Sequence, residues 1–238
     1  MIDYIHFQFS SSNPTGRDFV LADLHGCYSI LQKALQGVSF DPKHDRVFSV
    51  GDIIDRGPDS LACLRLLQEP WFHAVQGNHE NMMLAALHEG PGSATWTGWM
   101  GNGGSWFDQL SETDEAELKS LLPLVAKLPI TRILATRSGK RVGISHAQPP
   151  TFDWHRLSEK RKLTGDEIWR ALWSREAVHL RGNRVVEGVD ATVHGHTIVT
   201  RPTRIGNMNF IDTGVYLFNA ISLIELSDEF ITGRMNVA

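Results

Sequence analysis

The chain has 238 residues, 42% hydrophobic and 21% charged, enough for a substantial core within one α/β or β-sandwich domain. Its formal net charge of −4 leaves no basic excess to neutralise a phosphate backbone, which argues against general nucleic-acid binding. No apolar run approaches the roughly 18 residues needed to cross a bilayer. Nor do the first residues show the charged, apolar, small-residue order of a secretory signal, so neither a membrane nor a secreted setting is expected.

Residues 1–16 are polar and Ser-rich and read as a loosely held N-terminal arm. "RDFVLAD" (17–23) is a short buried strand. In "YSILQKALQGV" apolar residues at 30, 31, 34, 35 and 38 repeat at helical spacing, with Gly37 near the stop. "DRVFSVGD" (45–52) reads as a second strand and "DSLACLRLLQ" (59–68) as a second helix, behind Pro58 and capped by Asp59 or Ser60. "FHAVQGN" (72–78) and "ENMMLAALHE" (80–89) repeat the pattern. Such alternation requires parallel strands joined by right-handed crossovers, a βαβαβ core. Cys27 and Cys63 lack CxxC spacing and suit buried thiols in a reducing, cytoplasmic compartment.

The Gly- and Trp-rich run 90–107, "GPGSATWTGWMGNGGSWF", reads as loop with helical turns, equally a packed surface or a wall facing substrate. "DEAELKSLLPLVAKL" (114–128) is helical, ended or kinked by Pro123. The remainder turns β-rich in "ITRILAT", "RVGISH", "ATVHGH", "NMNFIDTG" and "NAISLIELS", which predict a second sheet, more antiparallel than the first. No linker intervenes. Residues 1–238 therefore read as one α/β domain of two packed mixed β-sheets flanked by helices.

Polar residues collect where such a fold puts its sites. In open parallel sheets, sites lie outside the carboxyl ends of the strands, and Asp23, Asp52 and Asn78 each come just past a predicted strand. The motifs are "DLHG" (23–26), "GDIIDRG" (51–57), "GNHE" (77–80), "SHA" (145–147) and "HGHT" (194–197). Any one alone is better read as a turn or a packed histidine; together, at strand ends, they are not. Carboxylate, amide and imidazole donors suit Mn, Fe or Zn ions, and no thiolate in them suggests a structural zinc site. The number of donors exceeds one ion's needs. Paired ions about 3.5–4 Å apart recur in phosphate-ester hydrolysis. Arg56, beside them, offers the planar fork that matches two phosphoryl oxygens.

The series "DLHG", "GDIIDRG", "GNHE", supported by "WFHAVQGNHENMM", "NGGSWF", "LWSRE" and "FIDTG", resembles the phosphoprotein phosphatase family of metal-dependent serine/threonine phosphatases. The similarity extends from Arg17 to Leu226 and is nearest to small bacterial and phage members. It implies the calcineurin-like metallophosphatase fold and hydrolysis of phosphoserine and phosphothreonine, with phosphotyrosine as an extension, in phosphoproteins or phosphopeptides. It implies two divalent ions, manganese first, with iron or zinc as alternatives. Asp23, His25, Asp52, Asn78, His146 and His194 would be metal ligands, with Asp52 bridging; His196 would support them from outside. His79 would be the general acid and Asp55 its orienting partner. Arg56, Arg175 and Asn78 would bind the phosphoryl group. Ala22 departs from the glycine usual before the first Asp, which matters only if that position needs a positive φ. The nearest rival, a dinucleoside polyphosphate hydrolase, usually lacks the acidic residue of "DRG" and carries "GNHD"; here Asp55 and Glu80 are both present.

Overall fold

The computed structural model describes residues 4–157, 161–180, 182 and 184–234. Strand β1 spans Ile5–Ser10, followed by β2 (Asp18–Leu21), β3 (Arg46–Ser49) and β4 (Phe72–Ala74). The later strands are β5 (Pro129–Ala135), β6 (Arg141–Ser145), β7 (Ala191–His194), β8 (Thr203–Ile205), β9 (Met208–Phe210) and β10 (Leu223–Glu225). Helices α1 (Tyr28–Gly37) and α2 (Ser60–Arg65) are the crossovers foreseen from periodicity, and the expected α3 (Asn78–Glu89) follows β4. Then come α4 (Ala94–Gly101) and α5 (Glu112–Ala126).

The strands form two mixed sheets, ordered β10-β2-β3-β4 and β1-β5-β6-β7-β9-β8. Strands β2, β3 and β4 are parallel, with Leu21 level with Ser49 and Ser49 level with Ala74. Their carboxyl ends are therefore flush, and the turns that follow open at one edge. Strands β6, β7 and β9 are parallel in the other sheet.

Alternation along each strand assigns its side chains to layers. Val20, Phe48, Val50 and Val75 point between the sheets, where they meet Leu134, Val142, Ile144 and Val193. Phe19, Leu21, Val47 and Phe72 face the opposite side and pack with Leu31, Leu64, Met83 and Leu121 of the helices. A third apolar layer, including Ile133, Trp154, Leu172 and Phe210, closes the outer side of the larger sheet.

Three expectations need revision. Residues 5–10 are not a loose arm: β1 pairs in parallel with β5, and Arg132 donates to Gln8 Oε1 and Ser10 Oγ, each at 2.7 Å. The second sheet is slightly more antiparallel than the first, as expected: among the described strands it pairs antiparallel at β5–β6 and β8–β9, against β10–β2 alone in the first, and is parallel elsewhere. Leucine-rich "SLIEL" returns to the first sheet as β10, antiparallel to β2. Pro123 does not end the helix: it lies inside the last turn of α5, where it forgoes one N–H bond to the preceding turn, and the helix runs on to Ala126. Ala22 has no positive φ, so replacing glycine there costs no strain.

Trp154 is fully buried, donates to Thr151 O at 2.8 Å, and lies so close to Gly143 that a Cβ there would come within 2.2 Å of its ring. Trp154→Ala is expected to cost about 3–5 kcal/mol in urea unfolding followed by circular dichroism. Trp169→Ala, at a residue 59% exposed, should stay within about 0.5 kcal/mol of the parent.

Candidate active site

The turns after β2 and β3 are knitted together by backbone hydrogen bonds. Leu24 N and His25 N both donate to Asp52 O, Gly26 N donates to Ile53 O, and Gly57 N donates to His25 O. Glu80, in the first turn of α3, accepts from the N–H groups of Asp52, Ile53 and Gly77 at 2.8–2.9 Å. It thereby holds the Asp52 turn against the start of α3. His79 N donates to Asp52 Oδ1 at 3.0 Å. Two glycines leave room for this crowding: a Cβ on Gly77 would lie 2.1 Å from Asp52 Oδ1, and one on Gly195 would lie 1.9 Å from Asp23 Oδ1.

Asp52 Oδ2 is the hub. It lies 3.9 Å from His25 Nε2, 3.8 Å from His79 Nε2 and 3.2 Å from His146 Nε2. Asp23 Oδ2 is 4.0 Å from His25 Nε2. Asn78 Oδ1 is 2.8 Å, and His196 Nδ1 3.3 Å, from His146 Nε2. Asp52 with His25 and His79, and Asp52 with His146 and His196, make two groups with spacing that could hold a metal ion.

The imidazoles are pinned as metal ligands usually are, by a carbonyl on the far nitrogen. His25 Nδ1 donates to Ile54 O, His146 Nδ1 to Val50 O, and His196 Nε2 to Trp173 O, at 3.0–3.1 Å. In the neutral ring, each such bond leaves the lone pair on the other nitrogen, which is the one facing Asp52 and its neighbours. The donor set therefore fits divalent cations.

His194, expected as a ligand, does not face this set, whereas His196, expected outside it, does. His194 Nδ1 bonds Ser145 O at 3.0 Å, and Nε2 bonds Thr192 Oγ1 at 2.8 Å. Both nitrogens are spent inside the sheet. The residue is the last of β7, where i and i+2 side chains share a face, whereas His196 lies beyond the strand, as do Asp23, Asp52, Asn78 and His146. The strand-end rule applied to "HGHT" would have selected His196.

On the other side of Asp52, His79 Nδ1 donates to Asp55 Oδ2 at 2.6 Å, and both side chains are buried. Its Nε2 faces the Asp52 side. Arg56 is exposed; its Nη1 donates to His25 Nε2 at 3.0 Å and its guanidinium lies 4.6 Å from the Tyr216 ring. Arg175 is exposed, and its charge depresses the basicity of His196.

Charge in the pocket is unevenly shared. Burial, helped by Asp212 and Asp52, holds the Asp23 carboxyl well above its ordinary range, and burial with Asp52 pushes Glu80 up to about 7. Burial also opposes ionisation of Asp52, but His146, His79 and His25 outweigh it and bring Asp52 well below that range. Burial disfavours a charged His146, yet Asp52 and Asp23 raise it to about 9; a cation would compete with that proton. Burial lowers His25 and His196 to about 3, so both rings stay neutral and available. His79 is raised despite burial, by Asp52 and Asp55.

Sequence reasoning assigned no role to Tyr216, Asp212 or Trp106, and gave Trp99 only a candidate place in a wall facing substrate. Asp212 lies within "FIDTG" and Tyr216 just after it, and the signal of that motif was similarity without chemistry. The two tryptophans sit in the run left open between surface and substrate wall. Both donate to Asp55: Trp99 Nε1 at 3.1 and 3.0 Å to its two oxygens, and Trp106 Nε1 at 2.7 Å to Oδ1.

The calcineurin-like phosphoesterase profile matches residues 19–199. Serine/threonine-protein phosphatase 1 of Salmonella typhimurium is 38% identical over 87% of this chain and 91% of its own length. The symmetrical bis(5'-nucleosyl)-tetraphosphatase of Haemophilus ducreyi is 41% identical, but over only 29% of this chain and 26% of its own. The crystal structure of a candidate diadenosine tetraphosphatase superposes with a TM-score of 0.61 at 20% identity, covering 94% of this chain and all of the other, which shows a shared fold.

Elemental analysis after purification without chelators distinguishes the two histidines. His196→Gln is expected to lower the divalent metal bound per protein, whereas His194→Gln should keep it while lowering the melting temperature. The opposite pattern would restore the first assignment.

Proposed function

The chain belongs to the calcineurin-like phosphoesterase family, among the phosphoprotein phosphatases, and we propose that it hydrolyses phosphoserine and phosphothreonine in proteins with two divalent ions. The observation that carries this reading is the buried Asp55–His79 pair opening onto the same space as the Asp52-centred donor set. Asp23, His25 and Asp52 would hold one ion, and Asp52, Asn78, His146 and His196 the other. When bound, such ions supply charge neutralisation of the phosphoryl group and an acidified water. Manganese is the first choice.

The chain's own residues do the rest. Arg56 and Arg175, exposed beside the donor set, would offer guanidinium N–H donors to phosphoryl oxygens, and Asn78 would serve both an ion and the phosphoryl group. Water adds to phosphorus as the ester P–O bond breaks. The bonding pair goes to the seryl or threonyl oxygen, which takes the proton from His79 Nε2; inorganic phosphate and the free hydroxyl group leave. Asp55 fixes His79 at Nδ1 and favours its charged, proton-bearing form. Glu80 keeps Asp52 in register for all of this. Free, buried Cys27 and Cys63 accord with a reducing, cytoplasmic setting. No helix among the described residues is long and apolar enough to cross a membrane.

The test is a panel of phosphoserine, phosphothreonine and phosphotyrosine peptides beside diadenosine tetraphosphate, with Mn, Fe or Zn ions added. Turnover of the peptides, highest with manganese, is expected; preference for the dinucleotide would replace the reading by its rival. His79→Asn should lower kcat on phosphoserine peptide by about 10²–10⁴-fold with metal content unchanged. Near-parental turnover would remove the acid role.

A further inference from the structure

Asp55 is fully buried and has a positive φ of 72°, yet it receives more donors than its bond to His79 requires. Its Oδ1 accepts from Trp106 Nε1 at 2.7 Å, and Trp99 Nε1 lies 3.1 and 3.0 Å from Oδ1 and Oδ2. Its own N–H donates to Ser60 Oγ at 2.9 Å. The next residue is held by the same run of chain: Arg56 N donates to Gly103 O at 3.1 Å. Trp99 is fully buried and Trp106 nearly so, and the rings are locked edge to face, 6.1 Å apart, with Trp96 and Phe107 packed behind Trp99.

We propose that Trp99 and Trp106 are positioning residues for proton transfer to the leaving group. This rests on the phosphatase reading above. A carboxylate with a single partner can rotate about its Cβ–Cγ bond and share either oxygen. Here the Trp106 N–H occupies Oδ1 and the Trp99 N–H spans both oxygens, so the remaining lone pair of Oδ2 is directed to His79 Nδ1. Phenylalanine in place of either tryptophan keeps an aromatic ring but leaves a buried carboxylate oxygen short of a donor, which costs more than the net worth of one hydrogen bond. His79 then loses a fixed partner, while the donor set around Asp52 is untouched. Residues 99–106 thus align the partner of the acid through two side chains and the phosphate-binding Arg56 through one carbonyl.

Proton donation matters in proportion to the basicity of the departing oxygen. In Trp106→Phe and, separately, Trp99→Phe, kcat/KM for phosphoserine peptide and phenyl phosphate should fall about 10- to 100-fold. For 2,4-dinitrophenyl phosphate, whose leaving group needs no proton, it should fall no more than about 3-fold. Trp96→Phe, which alters the same aromatic cluster without touching Asp55, should follow the parent on every ester. In a His79→Asn background the two phenylalanine substitutions should cost nothing further. Equal losses on all esters, or an undiminished further loss in the His79→Asn background, would assign the tryptophans to packing and overturn the proposal. A direct readout does not depend on turnover: the indole N–H signals of Trp99 and Trp106 should resist hydrogen exchange and move in Asp55→Asn. Exchange as fast as that of exposed Trp169 would equally overturn it. A parent protein inactive on every phosphomonoester, with those signals still protected and still moved, would instead remove the phosphatase reading and leave the Trp–Asp55 contact standing.

Discussion

The buried carboxylate of Asp52 is the constraint around which the molecule is arranged. Its backbone has a positive φ of 48°, its carbonyl accepts two N–H groups of the "DLHG" turn, and its N–H is held by Glu80. One of its oxygens receives the N–H of His79 and the other faces three imidazoles. Two turns and the start of a helix are thus fixed to one residue. A side chain so placed can serve two neighbouring positions at once because the chain on every side has been made to reach it.

Strain marks the same region. Among the described residues, seven besides glycine have positive φ, and five of them are His25, Asp52, Asp55, Arg56 and His196. Such conformations cost of order 1–3 kcal/mol each and persist only where surrounding contacts overdetermine them. The contacts are visible here: Glu80 behind Asp52, Ser60 and two indoles behind Asp55, Gly103 behind Arg56, Asp23 and Trp173 behind His196. His194, which has no positive φ and no nitrogen to spare, lies outside this pattern. Backbone strain and lone-pair direction agree on which histidine serves the site.

The arrangement has two sides with different tasks. Carbonyl-pinned imidazoles and carboxylates form the side suited to cations. The Asp55–His79 pair, with Arg56 next in the chain, forms the side suited to a phosphoryl group and its leaving oxygen. The Trp-rich run belongs to the second side. It covers Asp55 with apolar rings and meets it with two N–H groups, so the low dielectric strengthens the very bonds that satisfy the charge.

The sequence by itself determined the parallel β2–β3–β4 core, because helical and strand periodicities alternate there without ambiguity. It also determined that Asp23, Asp52 and Asn78 would meet, because residues following flush parallel strands must share an edge. Local pattern did not determine the pairing of β1 with β5, the return of β10 to the first sheet, or the strand order of the second. The partners of β1 and β10 lie over a hundred residues away, those of β7 are also distant in the chain, and a short strand carries no mark of its neighbour. The choice between His194 and His196 was likewise decided by tertiary structure, since two residues of the same type differ only in which groups occupy their ring nitrogens. So were the roles of Trp99, Trp106, Asp212 and Tyr216: composition shows an indole or a phenol, and only the folded chain shows what its polar atom touches.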